Sequence, residues 1–238
     1  MEEKNLYHKN LDGGYAMDIH SIESNVKFPD MLFYDMKKPG EMALYLAHCD
    51  LYPFRSVIEN NKIALDVIAE GYYQMATEAR EQDDFVTESW AMTSGSLHTS
   101  RVWMYTQYSL LLTMVSILEE AVNTLCRVHM NMKHLTKGLK DVKGSGLERA
   151  AMYLKDIVGI EGFTADRQWE YITAIRDARN MVVHNGGRLV RDFQKFEKFG
   201  IGYREEDKQL YLDYEDIVKM YDAILEFIDR AFRLEPKI

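Results

Sequence analysis

Apolar side chains recur every three to four residues along most of the chain, which is the spacing of amphipathic helices. No proline stands between residues 54 and 235, so long uninterrupted helices are permitted there. The pattern predicts helices over 55–82, 99–133, 147–157, 165–184 and 214–233. Strand is predicted only near 200–212, where alternating apolar and polar residues indicate a small β-hairpin. The predicted fold is all-α, an antiparallel bundle of four to five main helices with this hairpin before the C-terminal helix.

The N-terminal region lacks such a period. Residues 1–34 show no sustained repeat and are interpreted as an irregular arm. A short helix is predicted over 40–49, ending before Pro53 because proline cannot continue the hydrogen-bond ladder of a helix. We therefore divide the chain into an N-terminal arm with a short helix, residues 1–54, and a helical domain, residues 55–238.

One stretch between two predicted helices is also expected to be irregular. Residues 81–98 contain Asp83-Asp84 and Ser94-Gly95-Ser96, and these residue types are enriched in turns. We interpret this stretch as a loop or a partly ordered insertion.

Composition and charge exclude several classes of protein. Of 238 residues, 47% are hydrophobic and 28% charged, which is typical of a globular chain with a sizeable core. The net charge of −9 argues against non-specific coating of nucleic acid, because like charges repel phosphate.

With only Cys49 and Cys126, a disulfide framework is excluded and a reducing compartment is favoured. The start of the chain lacks the layout of a signal peptide, and the longest apolar run, 110–118, is short for a membrane span. We expect a cytoplasmic protein without membrane contact.

The most informative chemistry lies at the end of the predicted helix 165–184, in the segment IRDARNMVVHNGG over residues 175–187. A helix advances about 100° per residue, so Asn180 and His184 share a face and Arg176 leans the same way. Arg179 lies about 140° from His184 on a regular helix. Local unwinding or a second subunit would therefore be needed to bring Arg179 and His184 together.

Arg179, the polar Asn180 and His184 resemble the signature of the HEPN superfamily, an arginine followed after four to six residues by a histidine. The helix end VHNGG, an upstream helix with Leu118-Glu119-Glu120 and a closing amphipathic helix extend the resemblance over about 55–235. The toxin subgroup of that family has a tyrosine two residues after the histidine, where this chain has Gly186. The resemblance implies an all-α bundle that dimerises by pairing the motif helices, and many similar proteins are metal-independent endoribonucleases.

The resemblance also implies roles for individual residues. Arg179 and His184 are expected to be catalytic, with Asn180 in support. The side chains that we expect to bind RNA or a nucleotide are Arg176, Asn185 and Arg188. These residue types suit RNA cleavage, because a histidine can transfer protons near neutral pH and a guanidinium fork matches phosphate. The alternative is structural, since Arg and His near a helix C-terminus also stabilise the helix dipole by ~0.3–1 kcal/mol each.

The other candidate side chains carry weaker signals. Glu119 or Glu120 is a candidate partner for a salt bridge to Arg176 or Arg179, and a weaker candidate for a general base. His129 and His134 are five residues apart and do not share a helical face, so a metal pair is not expected. We expect neither a metal nor a cofactor.

Two stretches are locally basic. Residues 176–204 contain seven basic and three acidic residues, and residues 121–149 contain six and two. This distribution suits a ligand that carries phosphate, although it is also within ordinary surface variation.

The leading hypothesis is a HEPN-like homodimeric endoribonuclease that cleaves RNA through attack by the 2′-hydroxyl. By family analogy it is a toxin or an antiviral defence effector, with an antitoxin or another regulatory partner. The alternative is a non-catalytic HEPN-like module that binds RNA, a nucleotide or a partner protein.

Overall fold

The computed structural model describes residues 28–165, 167–188, 194–206 and 208–237 with their side chains, and the backbone of 7–9 and 15–17. The helices are α1 Pro39–Glu81, α2 Phe85–Leu97, α3 Trp103–Met132, α4 Gly146–Tyr153, α5 Arg167–Asn185, α6 Gln194–Phe199 and α7 Tyr214–Ala231. Wide π-helical turns at His98–Val102 and Leu154–Val158 continue α2 into α3 and extend α4. The all-α bundle expected from the hydrophobic pattern is confirmed.

The first helix is much longer than the sequence pattern indicates. α1 runs from Pro39 through Pro53 to Glu81, so the prediction of a short helix over 40–49 that ends before Pro53 is wrong. A proline inside a helix costs about 3 kcal/mol. Three fully buried side chains, Leu44, Leu51 and Ile58, lie on both sides of it in the core, and burial stabilises each by about 1.5–3 kcal/mol. Packing therefore outweighs the break, and one helix spans both sides of position 54.

The stretch 81–98 is also helical, so its prediction as a loop or insertion is wrong. Only a short turn separates α1 from α2, and Asp84 caps α2 by accepting a hydrogen bond from the backbone N–H of Thr87 at 3.1 Å. The small residues around Gly95 permit a close helix contact, because a Cβ on Gly95 would lie 3.1 Å from the Cβ of Tyr72 in α1. The Ser-Gly-Ser sequence thus marks a close approach between two helices.

The continuous helix Phe85–Met132 is long and apolar enough, by length and composition, to cross a membrane. Its most apolar 18-residue stretch has a mean hydropathy of 1.4, and half of that stretch is buried inside the protein. It is therefore longer and more apolar than the run 110–118 alone indicates. Core helices of globular proteins share these properties, so the finding is weak evidence for a membrane segment.

The core lies between α1, α3, α5 and α7, with α4 packed on α3. Fully buried members include Leu118 and Leu125 of α3, Ile172 and Ile175 of α5, and Ile224 and Phe227 of α7. The helical periodicity that predicted these three helices is confirmed. Asp213 caps α7 through a reciprocal pair of hydrogen bonds with Asp216.

Two short antiparallel hairpins accompany the helices. Strands β3 Tyr203–Arg204 and β4 Gln209–Leu210 confirm the hairpin predicted near 200–212, with Tyr203 opposite Leu210. Strands β1 Tyr7–Lys9 and β2 Tyr15–Met17 were not expected in the N-terminal arm, so the prediction of strand only near 200–212 is wrong. Strands of three residues are too short to produce a detectable period. The rest of the predicted arm up to residue 27 lies outside the described residues.

One buried histidine makes the stability of the fold sensitive to acid. His129 of α3 is 1% exposed, and neither ring nitrogen has a hydrogen-bond partner among the described residues. Burial, together with the charge of Lys133, lowers its pKa from 6.5 to about 4. The folded protein therefore resists protonation of a ring that the unfolded chain protonates readily.

We expect the free energy of unfolding to fall as the pH drops from about 6.5 to about 4, because only the unfolded chain binds the proton of His129 in this window. The loss attributable to this residue is at most about 3 kcal/mol. Urea denaturation at pH 7 and at pH 4.5 measures it, with His129→Leu expected to show a smaller difference than the wild type. The exposed His134, changed to asparagine, is the control, and an unaltered pH dependence in His129→Leu would contradict the assignment.

Candidate functional site

A polar cavity of about 470 Å³ lies where α5 passes α3 and the start of α4. From α5 it is lined by Arg176, Arg179, Asn180 and His184. From α3 and α4 it is lined by Glu119, Ser145, Gly146 and Glu148. We call it the motif cavity, because four polar residues of the segment 175–187 line it together.

The motif helix reaches this cavity without distortion. α5 is regular up to Asn185, and Gly186 and Gly187 follow in the left-handed region with φ of +60° and +82°. The predicted end of this helix at Asn185-Gly186-Gly187 is confirmed. Arg179 and His184 stand at the two edges of the arc of α5 that lines the cavity. Neither unwinding nor a second subunit is required to bring them to one cavity, contrary to the expectation from the helical geometry alone.

Of the two arginines that line the cavity, Arg179 has the fewer partners among the described residues. Its Nη1 donates a hydrogen bond to Oδ1 of Asn180 at 2.9 Å, and its buried Nε has no acceptor among the described residues. Its guanidinium forms no ion pair with a carboxylate in the described part of the chain. Asn180 thus orients the guanidinium, and several of its donors are left for a ligand.

Arg176 is engaged within the protein. Its Nη1 donates to Oε1 of Glu148 at 2.8 Å and its Nη2 to Oδ1 of Asp177 at 3.1 Å, and Lys195 also pairs with Asp177 at 2.6 Å. Burial alone would lower the pKa of the Arg176 guanidinium, but its hydrogen bonds to Glu148 and Asp177 more than offset this and raise the pKa. Arg176 therefore ties α4 to α5 and is neutralised by two carboxylates.

The remaining predicted residues differ in their relation to the cavity. His184 lines it from the last turn of α5, is exposed, and has no hydrogen bond or ion pair to a described residue. Asn185 and Arg188 are exposed and do not line the cavity, although Arg188 bridges to Gln209 of β4 through its backbone. The predicted catalytic residues thus meet in one place, and two of the three predicted binding residues lie beyond it.

Glu119 brings a carboxylate to the cavity from α3. Its Oε1 lies 3.3 Å from the position that a Cβ on Gly146 would take, and the side chain forms no ion pair with a described residue. The expected salt bridge from Glu119 or Glu120 to a motif arginine is absent from the described residues. Glu120 instead pairs with Arg127 at 2.5 Å on the exposed side of α3. The cavity therefore contains a carboxylate, a guanidinium and an imidazole, none of them in an ion pair with a described residue.

Sequence reasoning missed the wall formed by α4. Ser145, Gly146 and Glu148 lie far from the motif in the chain. The packing of α4 on α3 and the ion pair of Glu148 with Arg176 bring them to the cavity. The one local signal was the Gly-Ser-Gly turn, whose Gly146 has a φ of +53°. Such a signal marks a turn and gives no information about which helix the turn contacts.

The glycines after the motif fasten the end of α5 to the rest of the fold. The Gly187 N–H donates to the Met181 carbonyl at 3.1 Å, and the Gly187 carbonyl accepts from the Leu210 N–H at 2.8 Å. Gln209 donates to the Gly186 carbonyl at 2.9 Å and to the Tyr108 hydroxyl at 2.7 Å. The turn that carries His184 is therefore held by both the hairpin and α3.

Among the residues that the structure describes, no three or more His, Cys, Asp or Glu side chains are grouped in a way that could hold a metal ion. No protein-family model, curated protein or solved structure matches this chain.

Proposed function

We propose that the protein is a HEPN-like, metal-independent endoribonuclease that cleaves RNA in the motif cavity. The observation that supports this proposal is the convergence of Arg179, Asn180 and His184 on one cavity, where Arg179 keeps donors free and His184 is unengaged by described residues. Cleavage of RNA by its own 2′-hydroxyl requires proton transfer and stabilisation of the charge that develops on the phosphate. A histidine and a guanidinium supply these two functions.

The size and the charge of the cavity support a small phosphate-bearing unit as its ligand. Its volume of about 470 Å³ falls in the range of ~300–1,000 Å³ of pockets that bind small molecules. Among the described residues that line it, two arginines are balanced by Glu119 and Glu148, so this lining is not strongly basic. We infer that the cavity holds one phosphodiester with its flanking nucleoside and does not track a long stretch of backbone.

The wider setting follows from the same resemblance. A homodimer and a role as a toxin or defence effector, controlled by an antitoxin or another partner, are part of the proposal. Arg179, Asn180 and His184 of one chain line the same cavity, so the proposed chemistry does not call for a residue of a second chain.

Incubation of the purified chain with a labelled single-stranded RNA in the presence of EDTA tests the proposal. We expect cleavage that leaves a 2′,3′-cyclic phosphate on one product and a 5′-hydroxyl on the other, because the 2′-hydroxyl is the nucleophile. The same RNA with 2′-O-methyl groups is the control and should remain intact. Cleavage that needs a divalent metal would contradict the mechanism. Binding of RNA or a nucleotide without any cleavage would favour the non-catalytic module instead.

A further inference from the structure

We infer that Glu119 is the general base of this reaction, so that the cavity contains a three-group site of Glu119, Arg179 and His184. The inference rests on the proposed function and deepens it. Glu119 belongs to the core helix α3, directly after the fully buried Leu118, and its carboxylate faces the cavity. A half-buried carboxylate without a described ion pair is a proton acceptor that remains available to a ligand.

The other side chains of the cavity are poorly suited to this role. Cleavage needs one group to take the proton of the 2′-hydroxyl and another to protonate the leaving 5′-oxygen. Among the described residues His184 is the single histidine that lines the cavity, so it can perform one of these steps in a given turnover. The Glu148 carboxylate is occupied by Arg176 at 2.8 Å, and arginine stays protonated near neutral pH. Among the described residues that line the cavity, Glu119 is the remaining acid–base group.

The positions of Glu119 and His184 suit one group that accepts a proton and another that donates one. Glu119 enters the cavity from α3 and His184 from the last turn of α5, so the two groups approach a bound phosphate from different helices. The absence of a side chain at Gly146 leaves the space beside the Glu119 carboxylate open. Arg179, oriented by Asn180, lines the same cavity and can face the non-bridging oxygens.

The proposed cleavage requires no reactant other than the RNA and these three side chains. The Glu119 carboxylate takes the proton of the 2′-hydroxyl as that oxygen forms a bond to phosphorus. The bond between phosphorus and the 5′-oxygen breaks, and protonated His184 gives its proton to the leaving oxygen. The Arg179 guanidinium stabilises the negative charge on the phosphorane. The products are a 2′,3′-cyclic phosphate and a free 5′-hydroxyl.

The test compares Glu119→Gln with Glu120→Gln. Both substitutions preserve size and remove one carboxylate, but Glu120 lies next to Glu119 on the exposed side of α3 and outside the cavity. Single-turnover rates of RNA cleavage are measured across the pH range for both variants and for the wild type. We expect Glu119→Gln to lose about 10²-fold or more at the pH optimum, the scale of general base catalysis. The rise of the rate on the acidic side should disappear in this variant only, and Glu120→Gln should retain the wild-type profile.

Binding of the 2′-O-methyl RNA separates a base from a positioning residue. Wild-type affinity in Glu119→Gln, together with the altered pH profile, supports the inference. A uniformly lowered rate with an unchanged pH profile, or a loss of binding that accounts for the lost rate, would overturn it. So would a wild-type rate in Glu119→Gln, which leaves the endoribonuclease proposal intact. Absence of cleavage by the wild-type chain would instead reject that proposal itself.

Discussion

Replacement of Arg179 by alanine is expected to reduce the rate of RNA cleavage by about 10²-fold or more, and His184→Ala should have an effect of similar size. Arg179 lines the cavity and forms no ion pair with a carboxylate among the described residues. Its removal therefore takes away the cation that we expect to stabilise the negative charge on the phosphorane. His184 is the group expected to protonate the leaving oxygen. Arg179→Lys should also be impaired, because an ammonium group lacks the planar fork that matches two phosphate oxygens.

Neither alanine variant should unfold the protein. Among the described residues Arg179 makes one hydrogen bond through its side chain, to the neighbouring Asn180, and the His184 side chain is exposed. A contribution of either side chain to the helix end is worth at most ~1–2 kcal/mol. Initial cleavage rates and melting curves, measured on the same preparations, should therefore show a large loss of rate with little change in stability.

Matched controls exist outside the cavity. Arg127→Ala removes an exposed arginine of α3, and His134→Asn removes an exposed histidine whose φ of +52° asparagine tolerates. Both controls should cleave at the wild-type rate. Full activity in both Arg179→Ala and His184→Ala would show that the cavity is not the site of cleavage.

The parts of the fold that could be predicted from sequence are those where the local pattern and the final packing agree. The helix that contains Leu118 and the helix that contains Ile224 each present one apolar stripe to the core, so their period alone identifies them. Pro53 and Gly95 gave misleading signals, because long-range packing decides whether a proline or a small residue breaks a helix or is accommodated in it. No local pattern contains that information.

The candidate site, like the fold, could be predicted from the sequence only in part. Arg179 and His184 are close in the chain and could be identified as a pair, although a helical wheel alone placed them too far apart to act together. The cavity wall from α4 depends on contacts between residues far apart in the chain, namely the packing of α4 on α3 and the ion pair of Arg176 with Glu148. The homodimer stays a prediction from the family resemblance.

The second large effect concerns the glycines that end the motif helix. Gly187 is buried with a φ of +82°, and a Cβ there would lie 2.2 Å from the Tyr108 hydroxyl and 2.6 Å from Nε2 of Gln209. Tyr108 cannot easily withdraw, because its hydroxyl donates a hydrogen bond to the Leu210 carbonyl at 2.6 Å from a buried position. Gly186 has a φ of +60°, but a Cβ there would meet no atom within 4 Å. The two neighbouring positions share the backbone strain and differ in the steric clash.

We therefore expect Gly187→Ala to destabilise the fold by about 2–5 kcal/mol, the sum of left-handed backbone strain and overpacking, and Gly186→Ala by about 1–2 kcal/mol from strain alone. For a chain of this size the first change should lower the melting temperature by roughly 5–15 °C. Urea denaturation and melting curves of the two variants measure the difference.

Because the hydrogen bonds of Gly187 hold the turn that carries His184, RNA cleavage should fall further in Gly187→Ala than in Gly186→Ala under conditions where both remain folded. Equal destabilisation by the two substitutions would show that the contact of Gly187 with Tyr108 and Gln209 does not hold the end of the motif helix.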